Sequence, residues 1–103
     1  MSQEQDSQLP EYKKYSRKEL TDVVIDTVCN NVGHGIDAHD VSEDSNIIED
    51  LHGDSLDLVG ATIDLDETLC VSMLDEEVGN KYVIRELVDA YYNRLKLEGR
   101  IKE

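Results

Sequence analysis

Three stretches of this chain repeat apolar residues at intervals of three and four, and no stretch alternates apolar and polar residues as a strand does. The first stretch begins at Ser16, a favourable N-cap, with Glu19 three residues later in the spacing of a capping box. Its apolar face consists of Leu20, Val23, Val24, Thr27 and Val28. The sequence therefore predicts an all-α fold, a small four-helix bundle with three longer helices, one short helix and a long first loop.

The remaining elements follow from the same periodicity. We expect a second helix from Ser55 to about Leu69, a short helical piece near residues 74–80, and a last helix within "VIRELVDAYYNRLKL". Residues 36–53 lack a helical period and predict a loop with spaced apolar anchors, namely Ile36, Val41, Ile47, Ile48 and Leu51. The 103 residues suffice for one domain, which we place at residues 16–97, between a flexible extension (1–15) and a C-terminal tail (98–103).

The charge of the chain is strongly acidic and unevenly distributed. It contains 24 acidic and 10 basic residues, and the interval between Lys18 and Lys81 holds 17 Asp and Glu but no Lys or Arg. Such a field repels nucleic acid and anionic membranes and attracts basic protein surfaces. We therefore expect a monomer with basic protein partners, and neither a nucleic acid nor a membrane as a partner.

The sequence shows no metal site and no disulfide framework. Cys29 and Cys70 are too few and too irregularly spaced for such a framework, and the three histidines do not pair with them at ligand spacing. No apolar run approaches the length of a membrane span, and the N-terminal residues lack the apolar core of a signal peptide. These features predict a cytoplasmic protein.

Two separate apolar stripes run along the helix that begins at Ser55. One is a core face, made of Leu58, Ala61, Thr62, Leu65 and Leu69, and the other is made of Leu56, Val59 and Ile63. The second stripe lies among Asp57, Asp64, Asp66 and Glu67. An apolar strip bordered by acids is typical of a docking surface. The alternative is a helix buried on two sides, with this stripe covered by the long loop.

Ser55 has several possible roles. Its place directly before an apolar helical pattern favours a simple N-cap. The more specific hypothesis is a site for a covalent phosphate at the positive end of the helix. The tetrapeptide "GDSL" also occurs in esterases with a nucleophilic serine, but no histidine follows His52 and no sheet is predicted. Acids near Asp40 and Asp50 do not match the spacing of a calcium-binding loop. The sequence therefore favours neither an esterase nor a calcium-binding loop.

The segment "EDLHGDSLDLV" resembles the signature of acyl carrier proteins, in which a serine at the head of the second helix carries 4′-phosphopantetheine. The resemblance extends from Ser16 to about Leu97, since "LDEEV" and "VIRELVDAYY" are similar to the family's third and fourth helices. Departures such as Gly60 and Ile47 indicate a divergent or specialised member.

The resemblance implies a function and a set of site residues. Ser55 would carry the arm, and Asp54 would help to position the magnesium ion of a phosphopantetheinyl transferase. Partner enzymes with basic patches would dock on Leu56, Asp57, Val59, Ile63, Asp66 and Glu67. The cargo would be acyl thioesters for fatty-acid or related lipid or polyketide synthesis. The chain would carry and present them with no catalytic residue and no enzyme activity of its own. The alternatives are a peptidyl or aminoacyl carrier and an acidic interaction protein without an arm.

Overall fold

The computed structural model describes residues 13–33 and 35–102. Four α-helices follow one another: α1 (Arg17–Val32), α2 (Ser55–Leu69), α3 (Asp75–Val78) and α4 (Ile84–Leu97). A single 3₁₀ turn (Ala38–Asp40) lies in the long loop between α1 and α2. The described residues form no strand, only two isolated bridges that join Tyr15 to Ile101 and Asn46 to Val83. The predicted all-α bundle is thereby confirmed.

Helix α1 begins as its sequence predicts. The Ser16 hydroxyl accepts a hydrogen bond from the Glu19 backbone N–H at 3.2 Å, and the Glu19 carboxylate accepts one from the Ser16 backbone N–H at 3.0 Å. This capping box satisfies two of the donors that a helix start leaves free. The helix ends at Gly33, whose φ of 85° suits glycine and whose N–H bonds to the Cys29 carbonyl.

The core lies between the three longer helices. Its fully buried side chains come from α1 (Leu20, Val24, Val28), α2 (Leu58, Ala61, Leu65, Leu69) and α4 (Ile84, Leu87, Val88, Tyr91, Leu95). Burial of these large aliphatic groups is the main favourable term in the stability of the bundle. Helix α2 therefore has one face committed to the core along its whole length.

Backbone pairing and ion pairs hold the long loop that leads to α2. The Ile47 N–H bonds to the Tyr82 carbonyl at 2.8 Å, and the Ile84 N–H bonds to the Ser45 carbonyl at 3.0 Å. Arg17 joins the loop to α4, since its guanidinium contacts Glu43 at 3.1 Å and Asp89 at 2.7 Å. These contacts fix the path of the chain as it approaches Ser55.

One predicted loop anchor is wrong. Ile47 is fully buried, but Ile48 is 44 % exposed. The Asn46 side chain accepts hydrogen bonds from the backbone N–H groups of Ile48 and Glu49, which forms a turn. With Ile47 inside this turn, Ile48 faces outward.

The two ends of the described chain pack together. The Tyr15 N–H bonds to the Arg100 carbonyl at 3.0 Å, and the Lys102 N–H bonds to the Tyr15 carbonyl at 2.9 Å. The Arg100 guanidinium also donates to the carbonyls of Leu69 and Cys70 at the end of α2. Tyr15 and Arg100, which the sequence assigned to the extension and the tail, are buried. Residues 1–12 of the predicted flexible extension lie outside the described residues.

Among the helices formed by the described residues, none is both long enough and apolar enough to cross a membrane.

Candidate functional site

The start of α2 is built by two aspartates on either side of Ser55. The Asp54 carboxylate accepts from the Asp57 N–H at 3.0 Å, and the Asp57 carboxylate accepts from the Asp54 N–H at 3.0 Å. Asp54 is still extended (φ −141°, ψ −174°), so the helix starts one residue later. The prediction that Ser55 is the N-cap is therefore wrong: Asp54 holds that position, and Ser55 is the first helical residue.

Ser55 is exposed at this helix start. Within the part of the chain that the structure describes, no hydrogen bond is formed by its hydroxyl, so the oxygen is open to another molecule. The backbone N–H groups of a first helical turn and the positive end of the helix dipole favour a phosphate at such a place. An exposed hydroxyl beside these donors fits the covalent attachment of a phosphodiester.

The turn before Ser55 is braced against the core. The Gly53 N–H bonds to the Ile47 carbonyl at 2.8 Å. A Cβ atom at Gly53 would lie 3.0 Å from a methyl carbon of Ile47 and 3.1 Å from one of Val32, so a larger residue would press on both. His52, just before it, has a φ of 61°, which is uncommon for a residue other than glycine. The buried Ile47 thus positions the turn that presents Ser55.

The second apolar stripe of α2 is open to solvent. Leu56 is 76 % exposed, Val59 51 % and Ile63 56 %. The long loop packs on the core with Ile47 and Leu51 and leaves this stripe uncovered. The structure therefore does not show the alternative in which α2 is buried on two sides.

The three predicted docking acids lie in different environments. Glu67 is exposed, whereas Asp57 is half-buried and engaged in the cap of α2. Asp66 is also half-buried. It accepts a hydrogen bond from the Tyr91 hydroxyl at 2.8 Å and a longer one, of 3.4 Å, from the Met73 N–H. Burial and the neighbouring Asp66 raise the pKa of Tyr91 above its usual value, so the phenol stays a donor.

Neither the capping role of Asp57 nor the contact between Asp66 and Tyr91 was predicted from the sequence, and the reasons differ. The Asp54-x-x-Asp57 spacing carries the signal of a reciprocal cap, although Asp is not the usual residue at the third helical position. The contact between Asp66 and Tyr91 joins α2 to α4 across 25 positions, and no local pattern indicates it.

A groove of about 430 Å³ lies between α2 and α3, and Val59 and Ile63 of the stripe form part of its lining. Its lining is mainly apolar and includes three residues with polar side chains, Thr62, Asp66 and Asp75. The Thr62 hydroxyl donates to the Val59 carbonyl at 2.8 Å, a bond back to its own helix. In the described part of the chain, no group of three or more His, Cys, Asp or Glu side chains is arranged to hold a metal ion.

Comparison with known proteins identifies the family. An acyl carrier protein from Helicobacter hepaticus is 36 % identical over 53 residues, which make up 52 % of this chain and 70 % of that protein. The chain belongs to the acyl carrier protein family. A second acyl carrier protein, from Syntrophobacter fumaroxidans, is 27 % identical over 66 residues, or 64 % of this chain and 79 % of that protein. No family model matches the chain. At these identities it is a divergent member of the family, and membership supports a carrier role rather than an enzymatic one.

Proposed function

We propose that this protein carries acyl groups as thioesters on a 4′-phosphopantetheine arm attached to Ser55. The observation that carries the proposal is an exposed serine hydroxyl at the first turn of α2, in a chain of the acyl carrier protein family. When bound, the arm supplies the thiol that forms the thioester. Neither Cys29 nor Cys70 is needed for that chemistry.

Attachment assigns a distinct task to each residue at the start of α2. The Ser55 oxygen attacks the pyrophosphate of coenzyme A and forms the new P–O bond. Adenosine 3′,5′-bisphosphate leaves, and the hydroxyl proton goes to a base of the transferase. One oxygen of Asp54 caps the helix, and its other oxygen is the group we assign to the transferase's magnesium ion. First-turn N–H groups then neutralise part of the phosphodiester charge.

The exposed stripe is the surface we assign to partner enzymes. Leu56, Val59 and Ile63 supply apolar area that a partner buries, and the acids around them attract a basic patch. Glu67 is the most accessible of the three predicted acids. Asp57 and Asp66 are held in place by hydrogen bonds, so they contribute mainly negative electrostatic potential. A carrier must bind and release several partners, and a small stripe with salt-sensitive charges suits such transient contacts. We expect a cytoplasmic monomer that serves fatty-acid or related lipid or polyketide synthesis.

The test is the intact mass of the protein after incubation with coenzyme A, magnesium and a broad-specificity phosphopantetheinyl transferase. We expect a gain of one phosphopantetheine in the wild type and in Ser72→Ala, which removes another exposed serine hydroxyl. Ser55→Ala should show no gain. A gain in Ser55→Ala would refute the site. No gain in the wild type, with a known carrier modified in parallel, would favour an interaction protein without an arm.

A further inference from the structure

The carboxylate of Glu43 joins the long loop to two helices at once. It lies 3.1 Å from the Arg17 guanidinium at the start of α1 and 3.9 Å from the Arg85 guanidinium in the first turn of α4. Arg17 also contacts Asp89 on α4 at 2.7 Å. Arg85 also forms an ion pair with Asp44, the loop residue next to Glu43. These five side chains form one network, which we call the loop clamp.

Glu43 is the centre of the loop clamp by burial and by connectivity. Its side chain is 32 % exposed, against 77 % for Asp44 and 52 % for Asp89. Among the three carboxylates of the clamp, Glu43 alone forms ion pairs with both arginines. Isolated surface ion pairs contribute little to stability, whereas several linked pairs can hold a segment in place. Loss of the Glu43 charge therefore removes more of the clamp than loss of either other carboxylate.

Backbone hydrogen bonds hold the same part of the loop on the start of α4. The Arg85 N–H bonds to the Glu43 carbonyl at 2.8 Å, and the Ile84 N–H bonds to the Ser45 carbonyl at 3.0 Å. The loop clamp and this backbone pairing thus involve the same residues, and contacts that share one segment open and close together.

Ile47 connects this segment to the turn that precedes Ser55. The Ile47 N–H bonds to the Tyr82 carbonyl at 2.8 Å, and the Ile47 carbonyl accepts from the Gly53 N–H at 2.8 Å. Gly53 is two residues before Ser55, so a displacement of Ile47 displaces the turn. A continuous series of contacts therefore leads from the loop clamp to the candidate attachment site.

We propose that Glu43 is a positioning residue for the modification of Ser55: through the loop clamp it keeps the turn at Gly53 in the arrangement that presents the Ser55 hydroxyl. This inference rests on the proposed function, since it concerns the rate at which the transferase attaches the arm. A reacting hydroxyl held out of place slows the chemical step. The docking stripe belongs to α2, which the core holds, so the KM of the transferase should not depend on the clamp.

The test compares Glu43→Gln with Glu49→Gln. Both variants remove one negative charge from the long loop, but Glu49 is exposed and lies outside the loop clamp. Hydrogen exchange is measured at the amides that join the loop to α4 and to the turn, namely Ile47, Gly53, Ile84 and Arg85. The amide of Leu65, whose side chain is fully buried, reports on the core. Steady-state kinetics of the transferase then give kcat and KM for each variant.

We expect Glu43→Gln to speed exchange at the four loop amides about tenfold, through local opening, and to change exchange at Leu65 by less than about twofold. The transferase should show a kcat about threefold lower at an unchanged KM. Arg85→Gln, which removes the opposite charge from the same clamp, should act in the same direction. Glu49→Gln should match the wild type in exchange and in kinetics.

Each other outcome contradicts a specific part of the proposal. If the loop amides exchange no faster in Glu43→Gln than in Glu49→Gln, the clamp does not hold the loop. Equal acceleration at Leu65 would mean that Glu43 stabilises the whole bundle and has no local role. A faster-opening loop with an unchanged kcat would show that Glu43 does not position Ser55. If the wild type is not modified, the proposed function fails and the positioning role fails with it, whereas the exchange rates still show whether the clamp holds the loop.

Discussion

Two faces of helix α2 carry similar aliphatic residues and differ completely in their surroundings. Leu58, Ala61, Leu65 and Leu69 are at most 1 % exposed, whereas more than half of the surface of Leu56, Val59 and Ile63 is in contact with solvent. The first set belongs to the core, whereas Val59 and Ile63 of the second set line the groove near the proposed attachment site. Apolar residues on the buried face of this helix thus stabilise the core, and those on the open face form the surface that we propose for recognition.

The open face is tolerated because it is narrow and surrounded by charge. Isolated apolar side chains on a surface are ordinary, and only a contiguous patch promotes association. Glu67 is exposed beside the stripe, and Asp64 accepts a hydrogen bond from Asn31 at 2.9 Å on its other side. With a formal net charge of −14, copies of the chain repel one another, which opposes self-association through the stripe.

The largest expected effect is the difference in stability between alanine substitutions on the two faces of α2. Leu65→Ala removes a fully buried side chain and should lower the free energy of unfolding by about 2–5 kcal/mol, because transfer and cavity costs add. Ile63→Ala, on the exposed stripe, should change the free energy of unfolding by less than about 0.5 kcal/mol. Urea denaturation of both variants measures the difference, and equal losses would mean that the stripe also belongs to the core.

A smaller effect is expected where the open face meets the core at Asp66. Tyr91→Phe leaves this half-buried carboxylate without its 2.8 Å hydrogen bond and should cost about 1–3 kcal/mol. Asp66→Asn retains an acceptor for the Tyr91 hydroxyl and should cost less. Thermal and urea unfolding provide the comparison. If Asp66→Asn is the more damaging change, the carboxylate charge rather than the hydrogen bond is what the fold requires.

The third prediction concerns the side of α2 that approaches α1. A Cβ at Gly60 would lie 2.4 Å from the Asn31 side-chain oxygen, and Asn31 is held by its bonds to the Thr27 carbonyl and to Asp64. Replacing Gly60 by Ala in an Asn31→Ala background should therefore stabilise the protein by about 1 kcal/mol, the helix-propensity difference.

In the wild-type background, displacement of Asn31 should cancel the gain in stability from Gly60→Ala. A double-mutant cycle of Gly60→Ala and Asn31→Ala measures the coupling, which we expect to be on the order of 1 kcal/mol. Additive effects would show that α1 and α2 have room at this point and that Gly60 does not set their separation.

The smallest effect tests recognition by the open face. Val59→Ala and Ile63→Ala should each raise the KM of the transferase about two- to fivefold, or roughly 0.5–1 kcal/mol, through lost apolar contact. Leu97→Ala, at an 86 % exposed position on α4, should leave KM unchanged. Steady-state kinetics with varied carrier concentration decides this. An equal effect of all three changes would argue against a localised docking stripe.

Local sequence signals determined much of this protein. The interval of three and four between apolar residues predicts α1, α2 and α4 because a helix returns to the same face every 3.6 residues. The bounds of α2, the capping box of α1 and the two stripes of α2 all follow from spacing within a few residues. The position of Ser55 at the head of α2 likewise follows from its neighbours, although the cap itself is Asp54.

Only the tertiary structure decided how these elements use their side chains. A stripe on a helix is open or covered depending on where a loop from elsewhere in the chain packs, and here the loop packs through Ile47 on the core. The bond from Tyr91 to Asp66 and the approach of Arg100 to the end of α2 join residues 25 or more positions apart. Such contacts arise from the packing of whole helices, and no local period encodes them.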